Sequence, residues 1–221
     1  MARLTIIILI ALLVACTPLT PKQVLTTDCP VQPSVENLVS THWLEGHQIW
    51  RLRQSALLEI GRRKIPLEGF LRLDLSRSEA RLLAMNEMGL VMFDLQLDQQ
   101  GQTLKRAIPQ LQQMNGFAQG IAQSLRQIFL QPRPLRDDHL DMTANSQRLW
   151  RIIPDGSVGF TFDCLGDLRT TRLNAEEGDW RVAYDRYQAF GANRLPEQIT
   201  LNDYRNGIKL TLWMREVKQE P

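Results

Sequence analysis

Cys16 is the residue whose type and position point most directly to chemistry. It follows Leu13-Val14-Ala15 at the end of an apolar run, Leu4 to Ala15, that begins directly after Arg3. The run is shorter than the roughly 20 apolar residues that span a bilayer, and a charged start with small residues at the end of the run is typical of a secretory signal. Small side chains before a cysteine form a lipobox, in which the thiol receives a diacylglyceryl group. The sequence predicts a signal peptide over residues 1–15 and lipidation at Cys16; an ordinary signal peptide with a chance cysteine is the alternative.

Few other residues have the types and spacing that chemistry requires. His42 and His47 are five positions apart. This spacing does not place both side chains on the same face of a strand or of a helix. The run Asp137-Asp138-His139-Leu140-Asp141 could form a hydrolytic or metal cluster, but a solvated acidic loop is the simpler interpretation. The chain contains no Gly-x-Ser-x-Gly turn and no glycine-rich phosphate loop. The sequence therefore predicts no enzyme, no metal site and no cofactor.

If Cys16 is lipidated, two cysteines of the chain remain available for a disulfide. In an oxidising periplasm, Cys29 and Cys164 favour a disulfide, which would hold the N-terminal segment against the domain. Two free thiols, one of them buried in a strand, are the alternative.

Residues 16–40 are predicted to form a lipidated tether. Prolines in such a segment favour extended, semi-rigid chain, and the segment contains Pro18, Pro21, Pro30 and Pro33. Residues 41–217 fit one domain that is long enough to bury a core. The formal net charge is +2, with 26 Lys and Arg interleaved with 24 Asp and Glu, which gives no case for nucleic acid as a partner.

Short runs that alternate apolar and polar side chains dominate the chain after residue 46. A period of two predicts half-buried strands, and turn signals such as Asn206-Gly207 separate the runs. Gly69 lies inside one run and predicts a bulge or sharp bend. The runs cover residues 47–53, 65–75, 80–85, 91–97, 103–107, 148–153, 157–165, 170–173, 180–190, 199–204 and 208–214.

One stretch has helical spacing instead. Phe117, Ile121, Leu125, Ile128 and Phe129 recur on one face, which predicts an amphipathic helix of about 14 residues that the following prolines end. Residues 133–146 are polar and predict a loop. Because strands and helices do not alternate, a parallel sheet is not expected. The predicted fold class is mainly β (α+β): a strongly curved antiparallel sheet, or half-barrel, of about ten strands, with the helix as lid or plug.

A curved sheet that one helix closes imperfectly can leave an apolar cavity for a ligand. A fully packed core explains the same apolar stripes without a ligand. The residues predicted to line the cavity are Leu71, Leu73, Phe93, Leu95, Phe117, Ile121, Leu125, Phe129, Trp180, Val182, Leu210 and Leu212.

Met88 lies at a predicted hairpin tip, where polar residues are expected. An apolar side chain there could insert into a membrane; the alternative is a methionine folded back onto the sheet edge, since single surface apolar residues need no explanation.

These features together resemble the Lol lipoprotein-localisation carriers, particularly their outer-membrane lipoprotein member. The most specific piece is the run from Arg81 to Gly89: a similar run in that member carries an exposed leucine that helps to hand cargo to the membrane, and Met88 occupies that place here. Residues 195–201 are similar to that fold's C-terminal hairpin. The resemblance implies a half-barrel with a helical lid and a cavity for acyl chains such as palmitate. Cys29 and Cys164 depart from the family.

The resemblance also implies a location and a function. In similar lipoproteins an Asp after the lipidated cysteine retains the protein in the inner membrane, so Thr17 favours the outer membrane, facing the periplasm. The leading hypothesis is an anchored protein that takes apolar or acylated cargo, with a periplasmic carrier as a candidate donor, and delivers it to the membrane. The alternatives are an accessory envelope lipoprotein with a packed core and a hydrolase that uses residues 137–141.

Overall fold

The structure is a computed structural model that describes residues 33–40, 44, 49–143, 145–176, 178–191 and 193–220. The predicted signal peptide, Cys16, Cys29, His42 and His47 lie outside the described residues. Within those ranges, no helix has both the length and the apolar character that crossing a membrane requires.

Twelve strands within the described residues form one antiparallel sheet, which confirms the predicted fold class. Their order across the sheet is β5-β4-β3-β2-β1-β12-β11-β10-β9-β8-β7-β6, so β5 and β6 are open edges. The strands are β1 (Ile49–Ile60), β2 (Arg63–Asp74), β3 (Glu79–Met85), β4 (Val91–Leu97), β5 (Gln102–Ala107), β6 (His139–Thr143), β7 (Ser146–Ile153), β8 (Gly156–Phe162), β9 (Leu168–Ala175), β10 (Trp180–Phe190), β11 (Asn193–Asp203) and β12 (Ile208–Glu220).

Alternation of side chains explains why these segments become strands of a half-buried sheet. In β1, Trp50, Leu52 and Gln54 are buried, whereas Arg51 and Arg53 between them are exposed. Strands β1 to β5 pair in sequence order, as do β6 to β12, and the helical segment between β5 and β6 connects the two edges of the sheet. β1 pairs along its whole length with β12, from Ile49 opposite Glu220 to Ile60 opposite Ile208.

The sequence predicts a bulge or a sharp bend at Gly69, and the bulge is absent. β2 keeps its register with both neighbours through this residue, with Gly69 opposite Gln54 on β1 and Ala84 on β3. A Cβ atom at Gly69 would lie 3.2 Å from both Cγ and Nε2 of Gln54. The glycine therefore makes room for the Gln54 side chain.

Helices cover little of the chain. The helices are α1 (Val35–Ser40), α2 (Pro109–Gln112) and α3 (Phe117–Leu125). One π-helical turn, Arg126–Leu130, continues α3. The predicted 14-residue helix is thus confirmed, with a wider final turn. Helix α1 lies where extended tether was predicted: the Ser34 side chain accepts a hydrogen bond from the Asn37 amide at 3.3 Å, as an N-cap does, and Leu38 is fully buried.

The predicted loop 133–146 is wrong in part, because β6 lies within it. β6 pairs with β7 from His139 opposite Trp150 to Thr143 opposite Ser146. Leu140 and Met142 alternate with polar residues in β6, but all five residues of the strand are exposed, so it has no buried face. Its backbone pairing with β7 defines it.

Candidate functional site

Helix α3 and its π-helical turn lie against the buried face of the sheet. Leu125, Ile128 and Phe129 are buried, and the Phe117 ring meets the Phe93 ring of β4 edge-on with 5.2 Å between the centroids. The hydroxyl of Tyr184, on β10, donates a hydrogen bond to the Ile128 carbonyl at 3.3 Å. This bond joins the end of the helical segment to the far half of the sheet.

A small apolar cavity of about 40 Å³ lies between α3 and the first half of the sheet, where β12 also borders it. We call it the helix cavity. It is lined by Gln54, Ala56, Leu58, Leu67, Gly69, Leu82, Ala84, Phe93, Ile121, Ser124, Leu125, Ile128, Phe129, Leu210 and Leu212.

The structure brings half of the predicted lining residues to this cavity. Those that line it are Phe93, Ile121, Leu125, Phe129, Leu210 and Leu212. The remaining six lie elsewhere in or against the core: Leu71, Leu73, Leu95, Phe117, Trp180 and Val182. Among these, Trp180 borders a separate depression beside the π-helical turn.

The helix cavity is too small for an acyl chain in this conformation. Its volume of about 40 Å³ compares with roughly 10–15 Å³ for a cavity that holds one water molecule and roughly 300–1,000 Å³ for sites that hold drug-sized ligands. An apolar ligand could enter only if α3 moved away from the sheet or the lining side chains repacked. The described conformation is therefore a closed state of any such site.

Two polar side chains interrupt the apolar lining. Gln54 is 3% exposed, and its Oε1 atom makes no hydrogen bond to any described residue. The Ser124 hydroxyl donates to the Gly120 carbonyl one turn earlier in α3, at 3.0 Å. The sequence analysis missed Gln54, although the alternation of β1 places this polar residue on the inward face between Leu52 and Ala56.

The hairpin between β3 and β4 presents Met88 to solvent. Asn86 holds the loop: its Oδ1 accepts hydrogen bonds from the amides of Met88 at 3.0 Å and Leu90 at 2.9 Å. Gly89, with φ of +77°, allows the left-handed turn. Met88 is 86% exposed and Leu90 56%, so the methionine is not folded back onto the sheet.

Four residues of the acidic run at 137–141 are exposed, as the interpretation as a solvated loop expects, but Asp138 is not. Asp138 is 6% exposed and accepts hydrogen bonds from Arg151 Nη1, at 2.8 and 2.9 Å, and from the Leu135 amide at 2.9 Å. The pair holds the segment before β6 against β7. Over the residues that the structure describes, no three His, Cys, Asp or Glu side chains form a group that could hold a metal ion.

Cys164, in the turn after β8, is part of a disulfide. The partner cysteine lies outside the described residues, so the pairing with Cys29 stays a prediction.

The outer face of the sheet carries paired charges over β1 to β4. Arg53 contacts Glu68 at 3.1 Å, and Arg81 donates to both carboxylate oxygens of Asp94, at 3.1 and 2.7 Å. These hydrogen bonds from the Arg81 guanidinium hold the pKa of Asp94 below its ordinary value against the opposing effect of burial. A groove of about 390 Å³ on this face is lined by five basic side chains and one acidic side chain, Glu216. Each of the five basic side chains forms an ion pair with a carboxylate, so little of their charge is uncompensated.

Comparison with family models finds no match, and comparison with curated protein sequences finds none either. Solved structures do match. A LolA superfamily protein from Nitrosomonas europaea superposes with a TM-score of 0.55 at 8% sequence identity, over 86% of this chain and 94% of that one. A domain from Vibrio parahaemolyticus that is named for outer membrane lipoprotein sorting superposes with a TM-score of 0.52 at 10% identity, over 80% of this chain and 88% of that domain.

At such low identity the likeness concerns the course of the backbone alone. On that ground, this chain has the fold of the LolA superfamily.

Proposed function

We propose that this protein is a lipid-anchored envelope carrier that binds an apolar or acylated cargo beneath α3 and delivers it to the outer membrane. The observation that carries the proposal is the helix cavity: an apolar space between a single helix and an open sheet, in a fold shared with proteins named for lipoprotein sorting. Binding and delivery involve no covalent step at the site.

Cargo binding in this proposal requires α3 to move outward. Each methylene group that leaves water contributes roughly 0.8 kcal/mol, so ten buried methylenes contribute roughly 8 kcal/mol. Displacing the helix breaks the bond between Tyr184 and Ile128, which costs about 1 kcal/mol. The apolar face of α3, with Ile121, Leu125 and Phe129, would then contact the cargo instead of the sheet, so its burial is largely kept.

The Met88 hairpin is the proposed point of delivery. Its Asn86-centred hydrogen bonds fix the loop while Met88 and Leu90 face solvent, so both side chains can enter the outer part of a bilayer without unfolding the hairpin. The bilayer is itself the competing apolar phase into which a bound hydrocarbon chain can leave.

A packed accessory lipoprotein is the second candidate, and the small volume of the helix cavity favours it. Titration of the full chain with diphenylhexatriene, an apolar dye that fluoresces in a dry environment, separates the two. Saturable binding at one site that dodecyl chains displace is expected for a carrier. A linear, unsaturable signal would support the packed scaffold.

Delivery is tested by Met88→Glu, with Met88→Leu as the matched control. The glutamate variant should fold and bind dye as the parent does, because the side chain is exposed, but transfer of bound fluorescent acyl cargo to liposomes should slow about tenfold, because a charge opposes insertion. The leucine variant should transfer at the parent rate. Equal rates for all three proteins would refute the role of the tip.

The anchor and the disulfide are tested by mass spectrometry. A triacylated mature chain that begins at Cys16 and fractionates with the outer membrane is expected, and Cys16→Ala should abolish both properties. A non-reduced digest should join the peptides that contain Cys29 and Cys164.

A further inference from the structure

We propose that the cargo of the helix cavity carries a hydrogen-bond donor, an amide N–H or a hydroxyl, next to its hydrocarbon chain, and that Gln54 Oε1 accepts this hydrogen bond. The inference rests on the proposed function and adds the chemical class of the ligand. It starts from one atom: an amide oxygen, on a side chain 3% exposed, that faces an apolar cavity without a hydrogen bond to any described residue.

Buried polar atoms in folded proteins nearly always have a partner, and an unpaired one opposes folding. Methionine or leucine would fill the position of Gln54 without that cost. The strand opposite also accommodates the amide, because Gly69 leaves the space into which Cγ and Nε2 of Gln54 project, each 3.2 Å from where a Cβ would lie. Two positions on adjacent strands thus keep an amide inside an apolar site.

The other polar group of the lining strengthens the preference for a donor. Ser124 lines the cavity and its hydroxyl gives its hydrogen to the Gly120 carbonyl, so its oxygen has only acceptor capacity left. Of the lining residues in the described ranges, none is Lys, Arg or His. A carboxylate inside the cavity would meet acceptors and no cation, which is unfavourable. An acyl chain in amide linkage, or a chain that carries a hydroxyl, fits this arrangement, whereas a free fatty acid does not.

The test compares dodecanamide with methyl dodecanoate, which share the chain length and a carbonyl acceptor but differ in the N–H donor. Each displaces diphenylhexatriene, which has no polar group, from the full chain, from Gln54→Met and from Gln123→Met. Gln123 is an exposed glutamine of α3 and supplies the matched control. We expect the parent and Gln123→Met to bind the amide about fivefold to tenfold more tightly than the ester. Gln54→Met should bind both ligands with the affinity of the ester.

Thermal unfolding without ligand provides a second readout. Replacing an unpaired buried amide with an apolar side chain should raise the Tm of Gln54→Met by about 2–4 °C. A lowered Tm would mean that Gln54 has a structural partner and would overturn the inference, as would equal affinity of the parent for amide and ester. Saturable dye binding in these cases would leave the carrier function standing. Failure of the dye and of both ligands to bind the parent would overturn the proposed function together with the inference.

Discussion

Tyr184→Phe is the substitution that most directly tests whether α3 is a movable lid. Tyr184 is 1% exposed, and its hydroxyl donates to the carbonyl of Ile128 in the π-helical turn at 3.3 Å. Burial raises the pKa of this hydroxyl well above its ordinary value, so the group stays a donor at every pH in which the protein would be assayed. The phenylalanine variant removes only the oxygen.

The expected size follows from what the hydrogen bond does in each state. The bond to the Ile128 carbonyl exists only when the helix lies against the sheet, so its loss destabilises the closed state relative to the open state by about 1 kcal/mol. The hydroxyl also bonds to the Thr171 side chain on β9, and this bond within the sheet is lost from both states alike. The Tm should fall by about 2–4 °C. Since ligand binds the open state, the apparent affinity for an apolar ligand should rise about fivefold. A substitution that lowers stability while it tightens binding is the signature of a lid.

Tyr187→Phe is the matched control. Tyr187 lies on the same strand, and its hydroxyl donates to the Leu168 carbonyl at 2.7 Å, away from α3. This variant should lose similar stability without any change in affinity. The assay is the dissociation constant of diphenylhexatriene beside a thermal melt for all three proteins. If Tyr184→Phe binds no more tightly than the parent, or if both variants gain affinity alike, the helix does not gate the cavity.

Two further predictions concern the sheet and its charges. Gly156→Ala should lower the free energy of unfolding by about 2–3 kcal/mol, because the added Cβ would overlap the Asn174 carbonyl. Gly120→Ala, with open space around its Cβ, should raise the free energy of unfolding by about 0.5–1 kcal/mol. Urea unfolding of both variants checks this prediction, and equal effects would contradict it. The pKa of Asp94 is lowered by Arg81, so the pair stabilises the fold above the unfolded-state value of about 3.9, and that stability is lost as the pH falls through the lower folded value. Asp94→Asn should therefore show a weaker fall in stability between about pH 5 and 2 than the parent, and superimposable pH profiles would refute the assignment.

Much of the fold could be predicted because most strands of the sheet have one buried face and one exposed face. Trp180, Val182 and Tyr184 alternate in the sequence as they do in β10, and the apolar spacing from Phe117 to Phe129 anticipates the helix. β6 could not be predicted, since both of its faces are exposed and only its pairing with β7 defines it.

The cavity was predicted less well, for a geometric reason. Leu73 and Leu95 satisfy the same inward alternation as Phe93, yet they are packed into the core away from the space under α3. Strand register and sheet curvature determine which inward-facing residues contact the helix. The alternation of apolar and polar residues along a strand does not encode either of them. Gln54 was overlooked because a single polar residue in an apolar alternation was not treated as a signal.

The pairing of β1 with β12 has a consequence for how the protein is made. These two strands, nearly the whole domain apart in sequence, form the central seam between two otherwise sequential meanders. Each meander can assemble from neighbouring hairpins, but the seam must wait for the C-terminal strand and for closure of a very long loop. Proteolytic trimming of that strand would leave two half-sheets with newly exposed edges, prone to associate with other chains, so the continuity of the sheet depends on a single late event.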